Sequence, residues 1–405
     1  MRILVFCPHF TPDVAPTGEV MTRIVEELVA RGHDVEVVTS LPWYRDHAIE
    51  DGWGGKLVRR ENMPWGRIVR INPFPTADKR NLFRRALSFG GFTVVATVVG
   101  SFGRRVDAVI SMSPPLTLGP AGWIASIFRR APFVFNIQDV YPDVAVEVGA
   151  ITNRHAIRVL SWMERFSYAR ADAVTVLSRD LKENLSKKTK DPSKIRVIPN
   201  FVDTEWIAPA PRENAYRAEL GLTDETVVLY AGNIGYSQPL EMLVEAAKRY
   251  SSRTDVHFVV NGSGSGRDAV EASATGLTNI TFVDLQPKER LPDVLAAGDI
   301  HLVLLREGLA ASSVPSKTYS ILASGRPLVA SVDVGSEVAL LVTESQAGRA
   351  VPPEDAEAFI AALDELIDDP EERQRAGASA RAAVETWYSP AAVAEAYEVL
   401  IDELR

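Results

Sequence analysis

The chain has 405 residues, 46% of them hydrophobic and 24% charged, so it is long enough to bury two sizeable cores. Its net charge of -9, and the lack of any nucleic-acid-binding motif, argue against a nucleic-acid-binding protein. The single cysteine, Cys7, excludes an internal disulfide, and its apolar surroundings indicate a core thiol in a reducing compartment.

The first half of the chain predicts a doubly wound α/β domain. An apolar strand at 3–7, without the long apolar core of a signal peptide, precedes a loop and an amphipathic helix at 19–31 that Gly32 closes. Alternation of short apolar strands with helices implies a parallel sheet covered on both faces. Further strands are predicted at 35–39, 107–110, 133–137, 173–177 and 195–198.

A basic stretch with interleaved aromatic residues lies between Lys56 and Arg105. Its Lys and Arg residues far outnumber its acidic residues, and it contains the nearly uncharged run 86–103. The glycines, serines and threonines of that run make it a poor membrane-spanning helix. The stretch therefore predicts peripheral binding to an anionic membrane, and the alternative is a solvated basic face above a core helix.

Asp139 follows the strand predicted at 133–137, so its carboxylate is expected at the carboxyl edge of the first sheet. A carboxylate at this position can act as a general base, and the alternative is a capping residue for the next helix. The chain has no Asp-x-Asp pair, and its six histidines form no metal-spaced cluster. Neither a metal nor another cofactor is predicted.

The second half repeats the plan of the first. The segment 199–203 ends the first domain, and the polar, Pro-rich segment 205–212 is the candidate hinge. A helix is predicted at 240–249. The predicted strands are 227–231, 256–260, 280–283, 300–305 and 328–330.

The segment 314–330 combines a helix start, a cation and a buried strand. Pro315 and Ser316 are suited to begin a helix and Gly325 to end it. Because a helix N-terminus carries partial positive charge, the same turn with Lys317 is suited to bind a diphosphate. The alternative is an ordinary capped helix between two strands.

In their order along the chain, these motifs resemble the retaining glycosyltransferases with two Rossmann-like domains (glycosyltransferase family 4, GT-B fold). The similarity is strongest to the bacterial branch of N-acetylfucosamine and colanic acid surface-polysaccharide transferases, where Pro-Ser-Lys precedes a small-residue helix and Ser-Gly-Arg/Lys-Pro. The resemblance runs from Pro12 to Pro327. It implies an α/β fold of two doubly wound domains facing across a cleft, with the C-terminal helix crossing back to the N-terminal domain.

The resemblance also implies that the two domains bind different substrates. Residues 1–203, with 388–405, would form the acceptor-binding domain, and residues 204–387 the nucleotide-sugar-binding domain. With the segment 314–330, it gives these candidate donor-binding residues: Gly18, Asn233, Gly235, Gly262, Asp284, Leu285, Glu307, Pro315, Ser316 and Lys317.

Two departures from the superfamily shape these assignments. Its diphosphate-binding Arg/Lys pair falls here on Asn233 and Gln238, so we expect Lys317 to carry much of that charge. Its pair of glutamates is missing, and Glu307 is the candidate to replace one of them.

Gly18 could instead serve a tight turn. The glycines from Gly262 onward do not follow the G-x-G-x-x-G spacing of a dinucleotide fingerprint.

The sequence therefore predicts a metal-independent, retaining glycosyltransferase with Asp139 and Lys317 as catalytic residues. Its expected partners are a nucleotide-sugar donor, expected to be UDP-linked, a lipid-linked or glycan acceptor, and an anionic membrane, with no nucleic acid. The expected location is the cytoplasm, on the inner face of the plasma membrane. The alternatives are a UDP-sugar 2-epimerase of the same fold, a transferase acting on small metabolites, and a non-catalytic nucleotide-sugar-binding subunit.

Overall fold

The computed structural model describes residues 1–13, 15–45, 48–74, 82–147, 151–235, 237–309, 315 and 317–405. The chain divides into two compact units. Unit 1 comprises Met1–Asn200 and Pro390–Arg405, and unit 2 comprises Phe201–Ser389. Ser316, one of the candidate donor-binding residues, lies outside the described residues.

Unit 1 is built on an eight-stranded sheet in the order β3-β4-β2-β1-β5-β6-β7-β8. All neighbouring strands are parallel except β3 and β4, which form an antiparallel hairpin at one edge. The strands are β1 (Arg2–Phe6), β2 (Asp34–Ser40), β3 (Val58–Met63), β4 (Gly66–Ile71), β5 (Ala108–Ser113), β6 (Phe133–Ile137), β7 (Ala173–Val176) and β8 (Ile195–Val197). The helices before the second unit are α1 (Pro16–Ala30), α2 (Leu82–Ser101), α3 (Leu118–Arg129), α4 (Asp143–Glu147), α5 (Arg154–Arg170) and α6 (Arg179–Ser186).

Unit 2 is built on a six-stranded parallel sheet in the order β11-β10-β9-β12-β13-β14. Its strands are β9 (Thr226–Ala231), β10 (Val256–Asn261), β11 (Ile280–Val283), β12 (Ile300–Leu304), β13 (Leu328–Ser331) and β14 (Gly348–Val351). Its helices are α7 (Ala215–Glu219), α8 (Glu241–Arg249), α9 (Arg267–Ser273), α10 (Leu291–Ala297), α11 (Lys317–Ala323), α12 (Glu337–Glu344), α13 (Ala356–Asp368) and α14 (Pro370–Trp387).

The central strands of both sheets are buried along their whole length because helices cover both faces. The side chains of β5, β6 and β12 are buried throughout. The two predicted parallel sheets are therefore confirmed. Parallel strands place their carboxyl ends at one edge, where the loops that follow them come together.

The last helix, α15 (Pro390–Leu404), belongs to unit 1 and packs on α1, as predicted for the C-terminal helix. Its buried Tyr397 places a hydroxyl 2.7 Å from Asn136 Nδ2 and 3.2 Å from Thr175 Oγ1. Asn136 Oδ1 in turn accepts a hydrogen bond of 3.0 Å from Gln138 Nε2. A hydrogen-bonded chain thus connects α15 to the residue before Asp139.

The basic stretch between Lys56 and Arg105 is not the single surface that its composition predicts. Part of it forms the hairpin β3–β4, where Arg70 is 2% exposed, pairs with Glu61 and so is removed from any membrane surface. The run 86–103 falls mostly in α2, and none of the described helices is both long and apolar enough to span a bilayer. The side chains of Arg80, Arg84 and Arg85 lie outside the described part of the chain.

Candidate functional site

Lys317 is the first residue of α11, at the carboxyl edge of the unit 2 sheet. Its Nζ lies 4.0 Å from the centroid of the Tyr230 ring, at cation–π distance. Among the described residues this buried Nζ has no hydrogen-bond partner. Burial disfavours the ammonium and lowers the pKa of Lys317 to about 7. A buried ammonium without a hydrogen-bond acceptor is unfavourable for folding, and an anionic ligand can supply that acceptor.

The described part of α11 has seven residues, Lys317–Ala323, and the predicted start at Ser316 lies outside the described residues. Pro315 precedes it and accepts a hydrogen bond from the backbone of Thr318 at 3.0 Å. Because so short a helix has a small dipole, the charge of the Lys317 side chain is the main source of positive potential here.

The loop after β9 passes directly over Lys317. Gly232 has φ +141°, and a Cβ added there would lie 3.3 Å from Lys317 Nζ. The neighbouring Asn233 accepts a hydrogen bond from the Tyr230 hydroxyl through its backbone carbonyl. Glycine therefore lets the ammonium come close to the backbone of this loop. The fold brings Lys317 and Gly232 together across 85 residues of sequence.

The two glycine-rich loops of unit 2 pack against each other. A Cβ on Gly262 would lie 2.0 Å from Gly232 O, and one on Gly264 would lie 2.2 Å from Ile234 O. Two backbone hydrogen bonds, Gly232 N to Asn261 O at 2.9 Å and Ile234 N to Ser263 O at 2.8 Å, join these segments. Gly262 therefore has a packing function here that holds the loop over Lys317 in place.

The polar residues of the first glycine loop form a small network. Gln238 Oε1 accepts a hydrogen bond of 3.1 Å from Gly235 N and lies 3.5 Å from Asn233 Nδ2. Asn233 is exposed, so its amide is accessible to a ligand. The two residues that stand at the spacing of the superfamily's Arg/Lys pair thus contact each other and offer hydrogen bonds without charge.

The loop after β12 carries Glu307, which is exposed. Its neighbour Arg306 pairs with Glu354 at 2.6 Å and with Glu241 at 3.2 Å, so this arginine is held by two carboxylates. The carboxylate of Asp333 accepts hydrogen bonds of 2.9 and 3.0 Å from Gly308 N and anchors the same loop. Glu307 is therefore presented to solvent between two anchored residues, Arg306 and Gly308.

Asp284 and Leu285 follow β11 at the same edge of the sheet. Both are exposed, and Leu285 retains 59% of its accessible surface. Asp284 Oδ1 lies 2.5 Å from the Arg267 guanidinium. An exposed leucine beside backbone groups is suited to contact the flat face of a ring.

In unit 1, Gly18 lies within α1, which begins at Pro16 and not at the predicted residue 19. A Cβ on Gly18 would lie 2.8 Å from His9 Cβ and 3.1 Å from its carbonyl carbon. A glycine is needed at position 18 because the β1–α1 loop packs closely against this turn of α1. Gly18 is not part of a tight turn, and its backbone is not exposed. The N-terminus of α1 has no side-chain cap.

Asp139 lies just beyond β6, as its sequence position predicts. Its side chain is exposed, but the surrounding protein partly shields the carboxyl from water and raises its pKa. It is not the cap of α4, because Val140, Tyr141 and Pro142 intervene before that helix begins at Asp143. A solvent-accessible carboxylate with a raised pKa is a better proton acceptor at neutral pH than an ordinary aspartate.

Sequence reasoning missed two features, one in each unit. The ring of Tyr230 faces Lys317 from the end of an apolar strand, where nothing in the pattern distinguishes it from a core residue. In unit 1, His9 and Asp13 form a pair in the loop after β1. Because a spacing of four residues predicts a contact only within a helix, the sequence pattern carries no signal for this pair. Among the described residues, no three His, Cys, Asp or Glu side chains are grouped so as to hold a metal ion.

Two parallel-sheet units, the second with a buried lysine at the carboxyl edge of its sheet, are the features to compare with known proteins. Residues 17–200 match the family model of a glycosyl transferase 4-like domain, and residues 225–369 match that of glycosyl transferases group 1. The chain therefore belongs to the glycosyltransferases of the GT-B fold.

Individual relatives agree with this class. The chain is 29% identical to a putative colanic acid biosynthesis glycosyl transferase, WcaI, of Escherichia coli strain K12, over 91% of this chain and 92% of that one. Sucrose-phosphate synthase from Thermosynechococcus elongatus has a similar fold, with a TM-score of 0.68, 20% identity, and coverage of 100% and 99% of the two chains. HepE from Anabaena, solved in complex with UDP, has a TM-score of 0.69 and 14% identity, with both chains fully covered.

Proposed function

We propose that this protein is a retaining glycosyltransferase that moves a sugar from a UDP-linked donor to a lipid-linked or glycan acceptor in surface polysaccharide biosynthesis. The observation that carries the proposal is the buried Lys317 Nζ, which lies beneath the loop at Gly232 and has no hydrogen-bond partner in the part of the chain that the structure describes. The similarity to a transferase named for colanic acid biosynthesis supports the polysaccharide role. A related fold solved with UDP supports the choice of nucleotide.

Unit 2 is the proposed donor-binding domain and unit 1 the proposed acceptor-binding domain. When the bond between the sugar and the nucleoside diphosphate breaks, negative charge grows on the phosphate oxygens. Lys317 would turn towards those oxygens, while Asn233 and the backbone near Gly235 would donate hydrogen bonds. Leu285 would contact the base and Glu307 the ribose or sugar hydroxyls. Asp139 would accept a hydrogen bond from the acceptor.

A binding screen followed by a turnover assay tests this function. Thermal shift should detect stabilisation by UDP over other nucleoside diphosphates, since a ligand that binds only the folded state raises its apparent stability. UDP-N-acetylhexosamines are the first donors to assay for UDP release. An epimer formed from UDP-N-acetylglucosamine alone would indicate a 2-epimerase, and binding without UDP release a non-catalytic subunit. Turnover that needs no polyprenyl carrier would indicate a small-metabolite transferase.

Transfer is expected to proceed without a divalent metal. The chain has no Asp-x-Asp pair that could bind a metal ion, and Lys317 can supply the positive charge at the leaving group. UDP release measured after exhaustive chelation should remain close to that with added magnesium or manganese. Complete loss on chelation that one metal restores would contradict this prediction.

Unit 1 also presents a surface that suits peripheral membrane binding, which we call the apolar helical face. It consists of exposed apolar residues on or next to α2, α3 and α5: Val94, Val98, Phe102, Ile127, Phe128, Val159 and Trp162. The rings of Phe102 and Phe128 are 6.1 Å apart. The same segments also carry exposed arginines: Arg104, Arg105, Arg130, Arg158, Arg165 and Arg170. Aromatic side chains with flanking cations favour an anionic lipid interface.

The protein is expected to sediment with anionic vesicles at low salt and to be released as ionic strength rises, because each arginine near the surface contributes about 1 kcal/mol. The double variant Phe128→Glu with Trp162→Glu should reduce binding strongly, since it places two carboxylates against the bilayer. Trp387→Glu, an exposed tryptophan in unit 2, is the matched control. Protein that stays in the supernatant with anionic vesicles would exclude this role and favour a soluble acceptor.

A further inference from the structure

A cleft lies at the amino edge of the unit 1 sheet, the edge opposite to the one that carries Asp139. Its volume is about 1230 Å³, and its walls come from the segments just before β5, β6 and β7 and from the end of α15. β6 has five residues, so its two ends are roughly 16 Å apart. The cleft is therefore separate from Asp139, the proposed acceptor-binding residue.

Four arginines line this cleft: Arg105, Arg130, Arg170 and Arg405. Arg105 and Arg130 are exposed, and among the described residues their guanidinium groups have no hydrogen bond and no ion pair. Arg130 ends α3 in the left-handed region, with φ 55°. An arginine therefore stands where helix termination favours glycine, and its side chain lines the cleft.

Three carboxylates also line the cleft, and each of them already has a partner. Asp107 and Asp172 accept hydrogen bonds from backbone amides, at 2.7 and 2.8 Å respectively. Asp402 lies 3.3 Å from Arg405, which also pairs with Asp107 at 3.3 Å. The acidic residues thus neutralise one of the four arginines, and the other three keep their charge for a ligand.

A line of aromatic side chains leads from this cleft to the apolar helical face. Trp162, Phe166 and Arg170 are four residues apart on one side of α5. Trp162 stacks on Phe166 with centroids 5.5 Å apart, and Trp123 of α3 meets Phe166 edge-on at 5.2 Å. The Arg170 guanidinium lies 4.9 Å from the centroid of the Trp123 ring. Ile127 belongs both to the face and to the wall of the cleft, so apolar surface continues into a group of cations.

The segment before β5 is held in place by a buried arginine. Arg129 is 1% exposed, and its guanidinium donates hydrogen bonds to Gly100 O at 2.7 Å and to Phe102 O at 3.0 Å. Gly103 has φ +153°, and a Cβ added there would lie 2.4 Å from Arg129 Nη1. The same segment presents Phe102 to the apolar helical face and Arg105 to the cleft. Because it is already ordered, a ligand pays little entropy to bind there.

We propose that this cleft binds the phosphate of an anionic lipid head group, while an acyl chain of the same lipid lies along the aromatic line. This inference rests on the proposed peripheral membrane role of unit 1. Arg105 and Arg130 donate hydrogen bonds to the phosphate oxygens, and Arg170 adds positive charge. A lipid fits better than a free phosphate ester because the cations adjoin a large exposed apolar surface.

The test uses the full-length protein and three soluble probes that separate the phosphate from the acyl chains. Dihexanoyl phosphatidic acid carries both, glycerol 3-phosphate carries the phosphate alone, and dihexanoyl phosphatidylcholine carries the same chains with a zwitterionic head group. Each lipid is titrated below its critical micelle concentration by calorimetry, at about 0.15 M salt, where weak attraction between distant exposed charges is screened. Excess UDP is present, so that phosphate binding near Lys317 does not contribute.

Three double variants complete the design. Arg105→Gln with Arg130→Gln removes the two unpaired cations, and Arg105→Lys with Arg130→Lys keeps their charge. The matched control is Lys248→Gln with Arg249→Gln, which removes two exposed cations from α8 in unit 2. All of these side chains are exposed, so the thermal midpoints should stay close to that of the wild type.

The wild type and the control are expected to bind phosphatidic acid saturably and at least ~10-fold more tightly than either other probe, since only this lipid offers both a phosphate and acyl chains. The glutamine variant should bind phosphatidic acid at least ~10-fold more weakly. The lysine variant should also bind it several-fold more weakly, because an ammonium cannot contact two phosphate oxygens as a guanidinium fork does.

Equal affinity of the wild type and the glutamine or lysine variant for phosphatidic acid would overturn the inference. Equal affinity for glycerol 3-phosphate would make the cleft a site for free phosphate esters, and equal affinity for phosphatidylcholine would leave the apolar helical face as the only lipid contact. Protein that sediments with anionic vesicles but does not bind phosphatidic acid would keep the membrane role and exclude the head-group site. Protein that binds no vesicles would exclude the membrane role itself, and the titrations still decide whether the cleft binds a lipid phosphate.

Discussion

Lys317→Ala is expected to fold normally and to lose at least ~100-fold in turnover, because removing one preorganised charge from a developing anion raises the barrier by several kcal/mol. Folding should tolerate the change, since the variant removes a buried Nζ that has no partner among the described residues. The measurement is the rate of UDP release at saturating donor, with the thermal midpoint recorded for the same sample.

A lysine in an exposed position provides the control for this experiment. Lys248→Ala changes the same residue type on the surface of α8 and should leave turnover unchanged. Lys317→Arg is informative as well, because the branched guanidinium must fit beside Tyr230 and Gly232, where Nζ already approaches the backbone closely. Turnover near that of the wild type in Lys317→Ala would remove this residue from the site.

The affinity for UDP is expected to fall as pH rises above about 7. In the free protein, burial lowers the pKa of Lys317 to about 7. A bound diphosphate stabilises the ammonium and raises that pKa, so binding above pH 7 requires uptake of a proton. The linkage gives full affinity below the free-state pKa and a Kd that rises up to ~10-fold per pH unit above it, until the bound-state pKa is reached.

Calorimetry in buffers of different ionisation enthalpy measures this proton uptake directly. We expect it to approach one proton about one pH unit above the free-state pKa and to vanish in Lys317→Ala. That variant also serves as the control for titration of UDP itself, whose terminal phosphate ionises near pH 6. A pH profile that is the same in wild type and variant would show that Lys317 does not contact the diphosphate.

The repeated α/β plan could be predicted because buried parallel strands are short, apolar and separated by amphipathic helices. The hairpin β3–β4 could not, since its strands alternate charged residues such as Arg59, Glu61 and Arg67 and lie at the edge of the sheet. The charged residues of that segment, taken as composition alone, predict a solvated surface. In the fold, Arg67 and Arg70 instead pair with carboxylates of neighbouring strands.

The candidate site shows a similar limit. The importance of Lys317 could be inferred from a local motif, but its surroundings depend on Tyr230 and Gly232, which are distant in sequence. Gly262 was predicted to contact the donor, and its contact with Gly232 O is visible only once two strand ends are side by side. The His9–Asp13 pair escaped notice because four-residue spacing in a loop, without a helix, gives no geometric expectation.

The place of α15 in unit 1 has a consequence for how the protein is made. A ribosome makes residues 390–405 only after the whole of unit 2, so the usual order in which the N-terminal domain folds first is reversed here. Until then, the α1 surface that α15 covers is exposed, and Asn136 and Thr175 lack the Tyr397 hydroxyl. The continuous unit 2 can complete its core earlier. A nascent or proteolysed chain that ends before Pro390 thus keeps a finished unit 2 and an open unit 1, a form that chaperones and proteases would recognise.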